Sequence, residues 1–134
     1  MAAGITDLAE LIRNMRPTRN DGTYVFCTID PVNVPPGLDP VGSFREAEGL
    51  TLILPKEQAD AAGLEYSFEG AWITLKVHSD LEAVGLTASI SQALAQEGIS
   101  CNVVAAFYHD HVFVSLKDAD RALAVLQQLS QSGT

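Results

Sequence analysis

The stretch AWITLKVHSDLEAVGLTASISQALAQEGISCNV, residues 71–103, contains the pattern that decides the fold. Over Ala71–His78, Trp72, Thr74 and Lys76 alternate with the apolar Ile73, Leu75 and Val77. This alternation predicts a β-strand with one buried face. Ser79-Asp80-Leu81-Glu82 matches a capping box, in which a serine hydroxyl and a glutamate carboxylate bind backbone amides at a helix start. We therefore expect a helix from this turn to about Glu97, ended by Gly98 in the left-handed conformation.

Two more strands and a helix are predicted after this segment. Ser100–Tyr108 is expected to be the second strand, and His109-Asp110 a tight turn. Val112–Leu116 would then form the third strand, antiparallel to the second. Asp118 can cap a last amphipathic helix, so the order of elements is β-α-β-β-α.

The first half of the chain follows a related pattern, α-β-β-α-β. Thr6 is expected to cap a helix that ends before Pro17. The other predicted elements are strands at Tyr24–Ile29, Leu50–Leu54 and Tyr66–Phe68, and a short helix from Pro55. Asp30–Gly42 is rich in proline and is predicted to be a loop. The expected fold class is α+β, with helices on one face of antiparallel sheets.

Composition limits the classes of function. The chain has 134 residues, a net charge of -9 and 47% hydrophobic residues. An acidic surface repels phosphate backbones and anionic lipids, so we expect no nucleic-acid partner and no membrane partner. No apolar run has the roughly 20 residues of a spanning helix, and the N-terminus does not resemble a signal peptide. A cytoplasmic protein is predicted, with Cys27 and Cys101 as buried free thiols.

The second half resembles the ACT domain, the ligand-sensing module of aspartokinases and related regulators. The residues that carry this resemblance are Leu75–Asp80, Val84-Gly85-Leu86-Thr87, Leu94-Ala95, Gly98-Ile99-Ser100-Cys101-Asn102-Val103 and Ala122-Leu123. Together with His109–Val114, Gly22–Cys27 and Phe44-Arg45-Glu46, they make the chain similar to the small stand-alone bacterial ACT-domain proteins related to the CASTOR arginine sensors.

The resemblance implies two ACT-like, ferredoxin-like subdomains, residues 1–70 and 71–134. It implies an effector, typically an amino acid, bound where the strand–helix turn of one subdomain faces its neighbour. The positions that would hold the effector are Asp80, Leu81, Val84, Gly85 and Asn102. The family implies no catalysis by this module alone, and no cofactor is expected.

The Ser79–Gly85 turn is also a candidate site on physical grounds. The amides at a helix start and the positive end of the helix dipole suit a ligand carboxylate. Gly85 has no side chain, so a ligand can approach closely, and Asp80 or Glu82 could balance an ammonium group. The alternative is that Ser79 and Glu82 only cap the helix.

Two further groups of residues are candidates for ligand contacts. Asn102 lies within an apolar run, where a buried amide needs a partner, either a ligand or an adjacent loop. Phe44, Arg45 and Glu46 could clamp a zwitterion, with Arg45 on its carboxylate and Glu46 on its ammonium group. The alternative is an exposed, partly self-paired loop. The working hypothesis places the ligand between Phe44–Gly49 and the Ser79–Gly85 turn.

The histidines allow a metal interpretation as well as a ligand interpretation. His109 and His111, with His78 as a third nitrogen, could bind a metal ion, but no cysteine or acidic residue shows zinc-like spacing nearby. We expect no metal site. His109 and His111 are predicted to line the mouth of the ligand site, where one could pair with a carboxylate.

These patterns predict a regulatory or sensor module that binds a small amino acid or similar zwitterion and has no catalytic activity. Two alternatives stay open at this point. One is an oligomerisation scaffold with a vestigial pocket, and the other is a small enzyme that uses Cys27 with a histidine. Because the exposed edges of small sheets must be paired or protected, we expect a homodimer whether the protein binds a ligand or serves as a scaffold.

Overall fold

A computed structural model describes residues 7–78 and 80–132. The chain forms two compact units, which we call the central unit (residues 21–70) and the terminal unit (the described residues of 1–20 and 71–134). In chain order the elements are α1 (Leu8–Asn14), β1 (Arg16–Arg19), β2 (Tyr24–Ile29), β3 (Gly42–Glu46), β4 (Gly49–Pro55), α2 (Lys56–Ala61), β5 (Glu69–Lys76), α3 (Leu86–Gln96), β6 (Cys101–Ala105), β7 (Asp110–Ser115) and α4 (Ala119–Ser132).

The terminal unit is an antiparallel sheet with three helices on one face. Its strand order is β1, β5, β7, β6, and Asn102 of β6 lies opposite Phe113 of β7. Alternate residues of β5 point to the helices, as the sequence pattern predicts. The largest fully buried side chains of this core are Leu11, Met15, Ile73, Leu75, Ile90, Leu94, Val112, Val114 and Leu126. The predicted fold class and the order β-α-β-β-α are confirmed.

Helix α1 begins one residue later than predicted. Asp7 is its N-cap, and the Asp7 carboxylate accepts a hydrogen bond from the amide of Glu10 at 3.0 Å. An ionised cap also interacts favourably with the helix dipole. Thr6, the predicted cap, lies outside the described residues. The helix ends before Pro17, as expected, and Pro17 then lies in β1, a strand that sequence patterns missed.

Helix α3 begins at Leu86, so the capping-box prediction is wrong. The residues before it form turns: the Asp80 carboxylate accepts from the amide of Glu82 at 2.8 Å, and the Asp80 carbonyl accepts from the amide of Ala83 at 2.9 Å. Ser79 lies outside the described residues. The end of α3 agrees with the prediction, since Gly98 has a φ of +71°.

The β6–β7 hairpin turns earlier than predicted. Strand β6 ends at Ala105, and the amide of Ala106 donates to the carbonyl of His109 at 3.1 Å. Asp110, placed by the sequence in a tight turn, is instead the buried first residue of β7. None of the described helices is long and apolar enough to cross a membrane.

In the central unit the strands lie in the order β3, β4, β2. The first two residues of β5, Glu69 and Gly70, pair with β2. Helix α2 covers one face, where Ala59 packs on alternate residues of β2 and β4. Strand β2 has the predicted bounds. Tyr66–Phe68, predicted to be a strand, is not one, and the strand follows at Glu69.

Candidate ligand site

The start of α3 leaves backbone amides available to a ligand. Gly85 occupies the N-cap position with a φ of +100°, and no side chain caps the helix. The first amides of any helix lack internal partners, and the helix dipole places about half a positive charge there. A left-handed N-cap favours glycine because a β-carbon would clash with its own backbone. The amides of Leu86 and Thr87 are thus presented at the end of an eleven-residue helix.

The loop before α3 exposes apolar side chains beside these amides. Leu81 is 65% exposed and Val84 is 83% exposed. The loop is held in its turn by the Asp80 carboxylate, whose Oδ1 accepts from the amide of Glu82. Asp80 therefore combines a local structural role with a negative charge at the helix start.

An aromatic cluster lies at the neighbouring end of β5. The ring of His78 is 5.8 Å from the ring of Tyr108 and 6.3 Å from that of Phe107, and these two rings are 4.9 Å apart. Tyr108 is 63% exposed. The aromatic rings of this cluster can contact an apolar or a cationic group. Sequence reasoning missed Phe107 and Tyr108 because it placed both inside a strand.

His109 and His111 have different partners. His109 Nδ1 lies 3.3 Å from the carbonyl oxygen of Val77, to which it donates, so His109 attaches the hairpin to the end of β5. His111 Nδ1 accepts from Trp72 Nε1 at 3.0 Å and lies 3.1 Å from the hydroxyl of Thr74. Burial, with a smaller contribution from the charge of His109, lowers the pKa of His111. His111 is thus a neutral imidazole whose Nε2 carries the proton.

The structure does not group these histidines into a metal centre. Within residues 7–78 and 80–132, no three or more His, Cys, Asp or Glu side chains are arranged to hold a metal ion.

Asn102 is exposed, contrary to the prediction that its amide is buried. It lies on β6, which pairs only with β7 among the described residues. An edge strand presents alternate side chains to solvent even when its sequence is largely apolar. The Asn102 amide is therefore available to a ligand or to another chain, and it needs no partner from an adjacent loop.

Phe44, Arg45 and Glu46 belong to the central unit and form part of strand β3, which replaces the exposed loop that was the alternative to a zwitterion clamp. Phe44 is 72% exposed. The Glu46 carboxylate accepts a hydrogen bond from the hydroxyl of Thr51 on β4. Glu46 is thus partly engaged within its own hairpin.

Cys27 is a packed thiol on β2, and only 4% of its surface is exposed. Burial raises its pKa, which keeps it in the weakly nucleophilic protonated form. Cys101 is free and half-buried on β6.

Comparison with known proteins identifies the family of the chain. Models of the ACT domain match residues 3–71 and residues 67–128. The chain belongs to the ACT-domain family. It carries two ACT domains in tandem, and ACT domains are generally regulatory modules that bind amino acids.

Several solved structures resemble this ACT-domain protein. A Vibrio cholerae protein of unknown function, described as a possible transport protein, is 47% identical over 92% of this chain and 95% of its own, with a TM-score of 0.81. A protein from Agobacterium tumefaciens is 19% identical over 87% and 89%, with a TM-score of 0.67. The regulatory subunit of aspartate kinase from Thermus flavus is 13% identical over 84% and 95%, with a TM-score of 0.63. The last two show a shared fold only. No curated protein matches the chain.

The two ACT-family matches meet near residue 70, whereas the compact units are not divided at a single point. Strand β1 pairs with β5, and Leu11 of α1 and Met15, which follows α1, belong to the core beneath α3 and α4. The described part of the first twenty residues therefore belongs to the terminal unit. The division of the chain into ACT-like subdomains at residues 1–70 and 71–134 stays a prediction.

Proposed function

We propose that this ACT-domain protein binds a small amino acid or similar zwitterion at the start of α3 and acts as a regulatory module without catalysis of its own. The observation that carries the proposal is the left-handed Gly85, which leaves the amides of an eleven-residue helix without a side-chain cap. The family membership supports an amino acid as the ligand class.

The carboxylate of the ligand binds at the helix start. The amides of Leu86 and Thr87 point out of α3, and the helix dipole favours a negative charge at this end. Because Gly85 has no side chain, nothing on the N-cap residue competes with the ligand for these amides. This contact supplies an anion receptor in a chain whose net charge is -9.

Asp80 binds the ammonium group. Its Oδ1 accepts the hydrogen bond from Glu82, which leaves Oδ2 as the oxygen that pairs with a cation. Asp80 and the start of α3 lie at opposite ends of the same short loop. One segment of chain therefore presents both of the charges that a zwitterion requires.

The ligand side chain contacts Leu81, Val84 and the aromatic cluster of His78, Phe107 and Tyr108. These groups are largely exposed apolar surface, and covering them would contribute about 25 cal/mol for each Å² removed from water. The contribution of His109 is to hold the hairpin against β5 through Val77.

Self-association belongs to the same proposal. Strand β6 is an edge of its sheet among the described residues, and it exposes Asn102 and Val104. An open edge pairs readily with a second copy of the same strand. A homodimer formed through β6 would bring Asn102 to the interface. We also expect the protein to be cytoplasmic.

Thermal denaturation in the presence of each of the twenty amino acids tests the proposal. A ligand at 100 times its dissociation constant is expected to stabilise the protein by about 2.7 kcal/mol. Asp80→Asn keeps Oδ1 for the turn but removes the charge, and is expected to weaken binding about tenfold. The matched control is Glu10→Gln, which removes an exposed carboxylate from α1 and should leave affinity unchanged.

The outcomes separate the proposal from its alternatives. No stabilisation by any amino acid would overturn amino-acid binding and favour an oligomerisation scaffold. Stabilisation that Asp80→Asn and Glu10→Gln affect equally would overturn the assignment of Asp80.

A further inference from the structure

An open cavity of about 510 Å³ lies in the terminal unit, apart from the loop before α3. It is formed where α1 ends, β1 begins and α4 completes its last turns. The side chains that matter are Arg13 and Arg16 on one wall, and Gln127, Ser130 and Gln131 of α4 on the other.

The charge of this cavity is opposite to that of the chain. The chain has eight Lys and Arg residues against 17 Asp and Glu. Three of the cations, Arg19, Lys56 and Arg121, form ion pairs with aspartates. Arg13 and Arg16 form none within the described residues, and no acidic side chain lines the cavity there. Two arginines therefore line one cavity that has no carboxylate among its described lining residues.

Arg16 is held in place by the backbone. Its Nη1 donates to the carbonyl of Arg13 at 3.1 Å and to the carbonyl of Met15 at 3.2 Å. Among the described residues Nη1 alone donates to the protein, so the other N–H groups of the guanidinium remain as donors there. A guanidinium that is already ordered loses less conformational entropy when it binds an anion.

The carbonyl groups that would repel an anion are already paired. The end of α1 carries the negative end of its dipole, which by itself disfavours an anion. The Met15 carbonyl accepts from Ser130 Oγ at 2.8 Å in addition to its bond from Arg16. The Arg13 carbonyl accepts from Arg16. These bonds occupy acceptor positions on the two carbonyls, so their partial negative charge is partly compensated, and the arginines and the glutamine carboxamides among the lining residues can donate to an anion.

We propose that this cavity binds a doubly charged oxyanion of the phosphate type. Arg13 and Arg16 supply charge-assisted hydrogen bonds from two positions, which suits an anion with oxygens on several sides. The carboxamides of Gln127 and Gln131 supply neutral donors. The site is separate from the proposed amino-acid site and does not depend on it.

Titration of the full chain with inorganic phosphate tests this site, at a constant ionic strength of about 0.1 M set with sodium chloride. Binding is followed by the thermal midpoint and by amide chemical shifts in ¹H–¹⁵N spectra. We expect a saturable rise of the midpoint and shifts concentrated at the amides of residues 13–16 and 127–131. Glycerol 3-phosphate is titrated in parallel, because tighter binding of the ester than of free phosphate identifies a phosphorylated metabolite as the ligand.

The variant that isolates the site is Arg13→Gln, because the Arg13 side chain is exposed and its carbonyl is unchanged. It is expected to weaken phosphate binding about tenfold, in line with the loss of one charge-assisted hydrogen bond. The control is Lys117→Gln, which removes the same charge from an exposed position outside the cavity and should change affinity less than twofold.

Three results would overturn the proposal. One is the absence of a saturable response in the unmodified chain. Another is a set of amide shifts centred on the start of α3, which would place the anion in the amino-acid site. The third is equal weakening by Arg13→Gln and Lys117→Gln, which would indicate a nonspecific effect of charge. Because the unmodified chain decides the first two, the test holds even if a variant folds poorly.

Discussion

Gly85 lies directly against Leu8: a β-carbon added at Gly85 would be 3.0 Å from Cδ2 of Leu8. The contact joins the first residue of α1 to the residue that caps α3. Gly85 thus meets two requirements, a left-handed backbone and close approach by a neighbouring side chain. The glycine leaves room for Leu8 to pack beside its Cα, and no N-cap side chain binds the first amides of α3.

Gly85→Ala is predicted to destabilise the protein more than Gly98→Ala does. Both positions have a positive φ, so each substitution costs about 1–2 kcal/mol in backbone strain. A β-carbon added at Gly98 would meet no atom of the described residues within 4 Å, whereas one added at Gly85 meets Leu8. Urea unfolding is expected to show about 1 kcal/mol of additional loss at Gly85.

The double variant Leu8→Ala/Gly85→Ala assigns that additional loss to the contact. We expect a coupling of at least ~0.5 kcal/mol, because truncation of Leu8 makes room for the new methyl group. Strict additivity of the two single variants, or equal losses at Gly85 and Gly98, would contradict this assignment.

Stability is predicted to fall in mild acid because of His111. Burial lowers the pKa of His111 below its usual value of 6.5, so the folded state binds fewer protons than the unfolded state in this range. Its contribution to stability is complete above pH 6.5 and is lost as the pH falls through the folded-state pKa. Protonation at Nδ1 would also break the bond from Trp72.

The free energy of unfolding at pH 7.5 and at pH 5.5 measures this effect. The difference between the two pH values is expected to be smaller in His111→Gln than in the unmodified chain. An NMR titration of His111 that gave a pKa above 6.5 would refute the prediction.

Asp110 is predicted to have the opposite dependence on pH. Burial raises its pKa, so the folded state retains the proton longer than the unfolded state. The protonated form contributes stability in acid, which is lost as the pH rises through the folded-state pKa. Asp110→Asn is therefore expected to raise the free energy of unfolding at pH 7, and to lose that advantage near pH 3. Lower stability than the unmodified chain at pH 7 would show that the Asp110 charge is needed.

Alkylation of the native protein is predicted to modify Cys101 before Cys27. Cys27 is buried and its pKa is raised, whereas Cys101 is partly exposed on an edge strand. Iodoacetamide labelling followed by peptide mass spectrometry gives both rates. Rapid labelling of Cys27 in the folded protein would revive the interpretation of Cys27 as a nucleophile.

Much of the terminal unit could be predicted from sequence because its signals are strong and local. Alternation along β5 and the glycine that ends α3 depend on neighbouring residues alone. The start of α3 differs from the prediction because Ser-x-x-Glu fits a capping box, whereas Asp80 and Glu82 lie in a turn held by the Asp80 carboxylate. Strand β3 was missed because an exposed edge strand with Arg45 and Glu46 has no apolar alternation.

The candidate site was predictable as a segment but not as a set of contacts. The loop through Asp80 and Gly85 could be identified from the family resemblance and from the chemistry of helix starts. The exposure of Asn102 could not, because it depends on β6 being an edge of the sheet, which is a property of strand order. Phe107 and Tyr108 were missed since the hairpin turn lies nearer the N-terminus than the sequence indicated.

Chemical-shift mapping with the most stabilising amino acid tests the proposed carboxylate contact at the start of α3 most directly. We predict that the amides of Leu86 and Thr87 shift in a saturable manner, together with resonances of Asp80 and Tyr108. The same titration with the amino-acid amide, which lacks the carboxylate, should leave Leu86 and Thr87 unshifted. Saturable binding that does not perturb the first turn of α3, or equal perturbation by the amide, would contradict it.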